Sequence, residues 1–159
     1  MTYPRIGLLI DGEWIYDRPA LCEVENPADE SILGTVPRAS VQDLQDALAA
    51  SARGFEVWRN TAPSARAALM RRAAALLRER AESIVPAFVR ESGRPVAEVR
   101  GEIERAATFI DWDQAEISRM YGRIVPTDPP VQQFVVREPV GPVAAFTPWN
   151  VPMSAPSRK

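Results

Sequence analysis

About eighty residues in the middle of the chain, from position 41 to 121, repeat apolar side chains every three or four positions. This spacing is the period of an amphipathic α-helix, and Pro63, Gly93 and Pro95 divide the run into separate helices. The predicted helices cover about 41–58, the stretch after Pro63-Ser64, about 83–92, and Pro95 to Gly122. The chain must therefore bury several helix faces.

The fourth predicted helix approaches 40 Å in length at about 1.5 Å per residue. Its apolar stripe consists of Val96, Val99, Ile103, Ala106, Ile110, Ile117 and Tyr121. A stripe of this length needs a partner surface. The pattern favours a core face packed against the other three helices, and a subunit interface is the alternative.

Local signals set the bounds of these helices. Ser40 followed by Asp43 is typical of a capped helix start. The second helix is expected to bury the face that carries Leu69, Ala73, Leu76 and Leu77. Pro86 is expected in the first turn of the third helix, where its missing N–H does no harm, and Pro95 at the first position of the fourth.

Short strands are predicted on both sides of the helices. Asp11-Gly12 suits a tight turn within a hairpin over 6–15, and a second extended pair covers about 22–25 and 31–36. Eight of the 15 prolines lie between positions 126 and 156, which ends helix formation. There the sequence predicts a strand at 132–137 and a short buried strand at 143–146.

Composition excludes several functions. The chain has no histidine, so it cannot form a Ser-His-Asp triad or a histidine-ligated zinc site, and no metal site is expected. Nineteen basic and 21 acidic residues predict no nucleic-acid partner. The sequence has no long apolar run, so we expect a cytoplasmic protein with no membrane contact. Cys22, the single cysteine, lies beside acidic residues and is interpreted as incidental, not as a nucleophile.

The loop Thr147-Pro148-Trp149-Asn150-Val151-Pro152 is the one segment that suggests chemistry. A neutral amide such as Asn150, held between a tryptophan and prolines, can donate a hydrogen bond to an oxygen that becomes charged during a reaction. On the pattern alone, a structural turn is the favoured interpretation of this loop.

Several motifs occur in an order that resembles the amino-terminal part of the NAD(P)-dependent aldehyde dehydrogenase superfamily. They are Ile10-Asp11-Gly12-Glu13-Trp14, Asn26-Pro27-Ala28 with Gly34-Thr35-Val36-Pro37, Phe55-Glu56-Val57-Trp58, Glu91-Ser92-Gly93-Arg94-Pro95, and the run from Arg137 to Asn150. In the fourth motif, Arg94 replaces the family's usual lysine. Val151 replaces a phenylalanine, and Pro156-Ser157-Arg158 stands where a tryptophan often precedes the lysine matched by Lys159. These departures suggest a divergent subfamily, one that resembles semialdehyde dehydrogenases.

The resemblance implies an α/β fold: hairpins, four helices, and then the first strand of a Rossmann-like sheet, truncated. Residues 1–122 would form the amino-terminal hairpins and helices of the cofactor-binding half. Residues 123–138 would form an extended oligomerisation arm, and 139–159 the incomplete start of the dinucleotide-binding sheet. A homo-oligomer is therefore expected.

The resemblance also implies an activity: oxidation of an aldehyde, such as a semialdehyde, to the carboxylic acid with NAD or NADP. In the family a cysteine forms a thiohemiacetal and then a thioester, which a glutamate-activated water hydrolyses. Asn150 matches the asparagine that donates to the oxyanion, and Thr147, Pro148 and Trp149 match positions that line the cofactor site. The nucleophile and the general base lie downstream in the family, so this chain alone is expected to be inert. The alternative is a non-catalytic remnant or subunit-association module.

Overall fold

The computed structural model describes residues 3–159, which form three separate two-stranded antiparallel sheets and a set of helices. The strands are β1 (Leu8–Ile10), β2 (Glu13–Ile15), β3 (Leu21–Glu25), β4 (Ile32–Pro37), β5 (Arg123–Val125) and β6 (Gln133–Val135). The helices are α1 (Val41–Asn60), α2 (Pro63–Glu79), α3 (Ala81–Ser92), α4 (Val96–Glu116) and α5 (Ser154–Ser157). The α/β class expected from the sequence is confirmed.

Both amino-terminal hairpins form where the sequence predicts them. Strand β1 pairs with β2, and Asp11 and Gly12 between them adopt φ angles of 52° and 82°. Positive φ at both positions gives a turn whose twist matches that of the flanking strands. Strand β3 pairs with β4 around the Asn26-Pro27 turn, in which Asn26 accepts a hydrogen bond from the Ala28 amide.

Helix α1 begins with the capping box that Ser40 and Asp43 predict. The Ser40 hydroxyl accepts from the Asp43 amide, and the Asp43 carboxylate accepts from the Ser40 amide. The apolar face of α1 is nevertheless exposed, since Leu44 and Leu48 are 57% and 59% accessible. This helix is attached to the hairpins by ion pairs between Arg18 and Asp43 and between Arg53 and Asp11.

The core lies between α2, α3 and α4. Val85 and Phe88 of α3 pack against Val99 and Ile103 of α4, with Leu77 of α2 at the edge of the cluster. The middle of the predicted α4 stripe, Val99, Ile103 and Ala106, is therefore a core face, whereas Val96 is 42% exposed and Tyr121, beyond the end of α4, is 74% exposed. Helix α1 takes no part in this cluster. The predicted face of α2 is partly wrong: Leu69 is exposed and Ala74 is the buried residue. A run of alanines lets α2 approach α4 closely on a face that leucine spacing does not reveal.

Helices α3 and α4 differ from their predicted bounds. Helix α3 begins at Ala81, because the Arg80 carbonyl already accepts from the Ser83 and Ile84 amides. Pro86 therefore lies in the second turn, where no N–H can bind the Glu82 carbonyl. Pro95 caps α4 from outside the helix, and α4 ends at Glu116 before a 3-10 turn. Its 21 residues span about 32 Å, shorter than expected.

After residue 122 the chain is mainly extended. Strand β6 forms within the predicted 132–137 segment, and it pairs with β5, which the sequence analysis missed. The prediction of a buried strand at 143–146 is wrong: these residues are exposed and unpaired, with Phe146 90% accessible. A strand needs a hydrogen-bonding neighbour, and none of residues 3–159 supplies one there. No helix in this described part of the chain is both long and apolar enough to cross a bilayer.

Candidate active-site loop

The loop Thr147–Asn150 precedes α5 and projects from the helical core. All four residues are exposed, and Trp149 is 82% accessible. Within residues 3–159 the side-chain amide of Asn150 makes no hydrogen bond, whereas its backbone carbonyl accepts one. The two N–H groups of this amide are therefore available to a bound molecule.

The segment that follows the loop is fixed to the core. Met153 packs against the cluster of Val85, Phe88, Val99 and Ile103. Ser154, at the start of α5, is 5% exposed. Within the segment, the N–H groups of Ala155 and Ser157 donate to the carbonyls of Val151 and Met153, which gives it a helical backbone. The exposed amide of Asn150 thus lies four residues before the buried Ser154.

Glu102 of α4 makes the polar contacts of this anchor. Its Oε1 accepts hydrogen bonds from the Met153 amide at 3.3 Å, the Ser154 amide at 3.2 Å and the Ser154 hydroxyl at 3.1 Å. Its Oε2 accepts from Nη1 of Arg94 at 3.0 Å. The same Arg94 nitrogen donates to the backbone carbonyl of Asn150 at 3.3 Å.

Glu102 is completely buried, and its charge is compensated. Burial by itself would raise the pKa of this carboxyl. The hydrogen bonds from Ser154, Arg94 and Met153 outweigh burial and hold the pKa of Glu102 below its ordinary value. The carboxylate is therefore ionised at neutral pH and binds four donors.

A cavity of about 360 Å³ lies between α4 and the end of α5. Its lining consists of Thr108, Phe109, Trp112, Asp113 and Arg158. The guanidinium of Arg158 lies 5.0 Å from the centre of the Phe109 ring, a cation–π contact. No ion pair to Arg158 occurs within the described residues, so the cavity presents two aromatic rings, the Thr108 hydroxyl and the Asp113 carboxylate beside an exposed cation.

The structure brings the four predicted site residues together, because they are consecutive in one loop. Two residues that matter to this loop, Arg94 and Glu102, were not identified as site residues from sequence. Glu102 lies three residues after Val99 and four before Ala106, and therefore on the buried face of α4. The sequence signal that could have identified Glu102 is a charged residue on an otherwise apolar helix face. For Arg94 the sequence shows only its place in the turn motif before α4.

The sequence profile of the aldehyde dehydrogenase family matches residues 14–159. The chain belongs to this family. The match covers every element from β2 to α5, and the predicted resemblance is confirmed.

Two curated relatives and one solved structure illustrate the similarity. Glutarate-semialdehyde dehydrogenase of Pseudomonas putida is 36% identical over 152 residues, which cover 94% of this chain and 32% of the relative. A 4-(hydroxymethyl)benzenesulfonate dehydrogenase of Comamonas testosteroni is 42% identical over 157 residues, which cover 96% of this chain and 32% of the relative. The crystal structure of an NADP-dependent enzyme of Escherichia coli superposes with a TM-score of 0.93 at 35% identity, covering 98% of this chain and 33% of that one. The chain thus spans about a third of the length of the curated relatives that it matches.

Proposed function

We propose that the complete protein that contains this chain oxidises an aldehyde to the carboxylic acid with NAD or NADP, and that Asn150 donates a hydrogen bond to the oxyanion formed during the reaction. The supporting observation is the exposed Asn150 amide, unpaired within the described residues and four residues before the buried Ser154, in a chain of the aldehyde dehydrogenase family. A fixed donor is effective because it needs no reorganisation as charge develops on the oxygen.

The proposed substrate is an aldehyde with an anionic group at its other end, such as a semialdehyde. The names of the two relatives contain a carboxylate-bearing and a sulfonate-bearing molecule, respectively. In this chain Arg158 lies at the cavity between α4 and α5, with its guanidinium over Phe109. A guanidinium binds carboxylate or sulfonate oxygens with paired N–H groups. The single helical turn of α5 separates this cation from the loop of Asn150.

Thr147, Pro148 and Trp149 are the residues of this chain proposed to contact the cofactor. They present exposed backbone groups and an exposed indole face, which fit contact with a planar, amide-bearing ring. A nicotinamide cofactor, when bound, supplies hydride acceptance. The contribution of this loop is to orient that ring and to shield it from water.

We also propose the division of the chain into residues 1–122 of the cofactor-binding half, an oligomerisation arm at 123–138, and the start of the dinucleotide-binding sheet at 139–159. The arm contains the β5–β6 hairpin, which exposes Ile124 and Phe134. Apolar side chains at this exposure are typical of a surface that a second subunit covers. The complete protein is therefore proposed to be a homo-oligomer.

The test is the initial rate of nicotinamide reduction by the complete enzyme with succinate semialdehyde and NAD or NADP. Asn150→Ala is expected to lower kcat by about 100- to 1,000-fold, because it removes one oxyanion donor. Asn60→Ala is the matched control, since the exposed Asn60 amide donates a hydrogen bond to the Glu56 carbonyl within α1, away from the loop. The 159-residue chain alone is expected to be inactive. Wild-type rates in Asn150→Ala, or no oxidation of any aldehyde by the complete enzyme, would contradict the proposal.

A further inference from the structure

We propose that Arg94 and Glu102 are positioning residues that fix the backbone of Asn150, so that its side-chain amide points at the reacting oxygen. This inference rests on the proposed function, and it adds two residues that touch neither substrate nor cofactor. It derives from a buried network that joins α4, the turn before α4 and the loop before α5.

The first step is the attachment of the segment that follows the loop, Met153 and Ser154, to Glu102. A buried carboxylate is stable only when its lone pairs are satisfied, and Glu102 receives three of its four hydrogen bonds from Met153 and Ser154. In residues 3–159 the Ser154 amide begins a helix of four residues and the Met153 amide lies just before it, and a helix of this length is too short to hold itself in place. Glu102 therefore fixes the position and direction of the chain immediately after the loop.

The second step is the direct contact with Asn150. Nη1 of Arg94 donates both to Oε2 of Glu102 and to the backbone carbonyl of Asn150. The other guanidinium nitrogens, Nε and Nη2, donate to Oε2 of Glu98 at 3.3 and 3.2 Å. With its guanidinium held from two sides, Arg94 sets the orientation of the Asn150 peptide group and hence the direction of its Cα–Cβ bond.

The third step compares this network with an ion pair that serves only stability. Ion pairs that serve only stability can lie anywhere on α4, and Arg100 with Glu82 is such a pair at the surface. In the Arg94–Glu102 pair, by contrast, Arg94 also donates to the backbone carbonyl of Asn150. Asn150 is the loop residue whose side-chain amide makes no hydrogen bond within residues 3–159. A displacement of about 1 Å in a catalytic group can lower a rate 100-fold.

The first experiment uses the complete protein that contains this chain and measures amide hydrogen exchange over residues 147–157 together with the melting temperature. Arg94→Met and Glu102→Gln are expected to accelerate exchange at Met153 and Ser154 by roughly tenfold or more, because each variant loosens the anchor. Arg100→Met is the matched control, since it removes an arginine–glutamate pair from the same helix without contacting this segment. Unchanged exchange in both Arg94→Met and Glu102→Gln would overturn the proposal.

The second experiment uses the complete enzyme and a double-mutant cycle with Asn150→Ala. Arg94→Met is expected to lower kcat about tenfold or more with the KM for cofactor unchanged, and Arg94→Lys to recover most of the rate, because an ammonium can still donate to both oxygens. In the Asn150→Ala background, Arg94→Met is expected to have almost no further effect. Additive losses would show a role independent of Asn150 and would overturn the proposal.

The two experiments separate this inference from the proposed function. If the complete wild-type enzyme oxidises no aldehyde, the proposed function fails, and the exchange experiment alone decides whether Arg94 and Glu102 fix the loop. If the wild type is active and Arg94→Met retains the full rate, the positioning role fails while the proposed function stands.

Discussion

Glu102 shows how one residue can contradict the pattern of its helix and still stabilise the fold. Glu102 directly precedes Ile103 of the predicted α4 stripe, and its side chain has no exposed surface. Burying an unpaired carboxylate costs several kcal/mol, so the residue is compatible with folding only because four donors surround it. The sequence shows the charge within the stripe, but it does not show the donors.

Substitution of Arg158 tests the proposed preference for aldehydes with an anionic group. Arg158→Met is expected to raise KM for succinate semialdehyde about tenfold or more and to leave KM for butanal unchanged, because only the semialdehyde offers a carboxylate to the guanidinium. Steady-state kinetics of the complete enzyme with both aldehydes measure the difference. Arg72→Met, which changes an exposed arginine paired with Glu79, is the control. An equal increase for both aldehydes would show that Arg158 only shapes the cavity.

At the scale of elements, the two helix ends with clear cap signals lie where the sequence predicts them, whereas the carboxyl end of α4 and the buried face of α2 do not. The capping box at Ser40 and the left-handed residue Gly93 lie where local chemistry requires them. These signals are local, because a cap involves residues within one turn of the helix end. The buried face of α2 depends instead on a neighbour that is distant in sequence, and leucine spacing did not identify it.

Alanine substitutions at Gly93 and Gly101 are expected to change the free energy of unfolding in opposite directions. Gly93 has a φ of 67°, and an added Cβ would lie 3.0 Å from Cγ of Pro27. Gly93→Ala is therefore expected to lower the free energy of unfolding by about 1–2 kcal/mol. Gly101 is an exposed position within α4 where an added Cβ meets no atom within 4 Å. Gly101→Ala is expected to raise the free energy of unfolding by about 1 kcal/mol.

Urea unfolding of both glycine variants, followed by circular dichroism, provides the measurement. The two substitutions add the same methyl group, so the sign of the change isolates the backbone conformation of each site. A change in the same direction for both variants would contradict the assignment of Gly93 to a left-handed helix end.

At the scale of the whole molecule, the hairpins and the helices are joined by few polar contacts. The most buried of these links Arg18, before β3, to Asp43 in the first turn of α1, with Nη2 of Arg18 at 2.5 Å from Oδ1. The Asp43 side chain is 3% exposed. Hydrogen bonds from Arg18, and then from Ser40, hold the pKa of Asp43 well below its usual range.

This link predicts a loss of stability in acid. The unfolded chain takes up a proton on Asp43 near pH 4, whereas the folded chain keeps the carboxylate charged to lower pH. The stabilisation from Asp43 is therefore complete above about pH 5 and is lost as the pH falls towards the folded pKa. Melting temperatures between pH 7 and pH 3 should show Asp43→Asn less stable than wild type at pH 7 and closer to it at pH 3.

Asp17→Asn is the control for this pH series, because the Asp17 side chain is 98% exposed and, within residues 3–159, forms an ion pair only with the surface residue Arg5. This variant is expected to follow the wild-type pH profile. A constant difference between Asp43→Asn and wild type across the range would show that the Arg18–Asp43 pair does not couple protonation to folding.

The sequence by itself determined the order of hairpins and helices, the caps, the family and the loop that contains Asn150, because each depends on residues close together in the chain. It did not determine that the middle of α4 is buried while the amphipathic helix α1 exposes its leucines, nor that residues 143–146 lack a strand partner within the described residues. It also did not identify the pairing of Glu102 and Arg94 with the loop some fifty residues later. Only the tertiary structure decided these features, since burial, strand pairing and buried ion pairs depend on which distant surfaces the fold brings together.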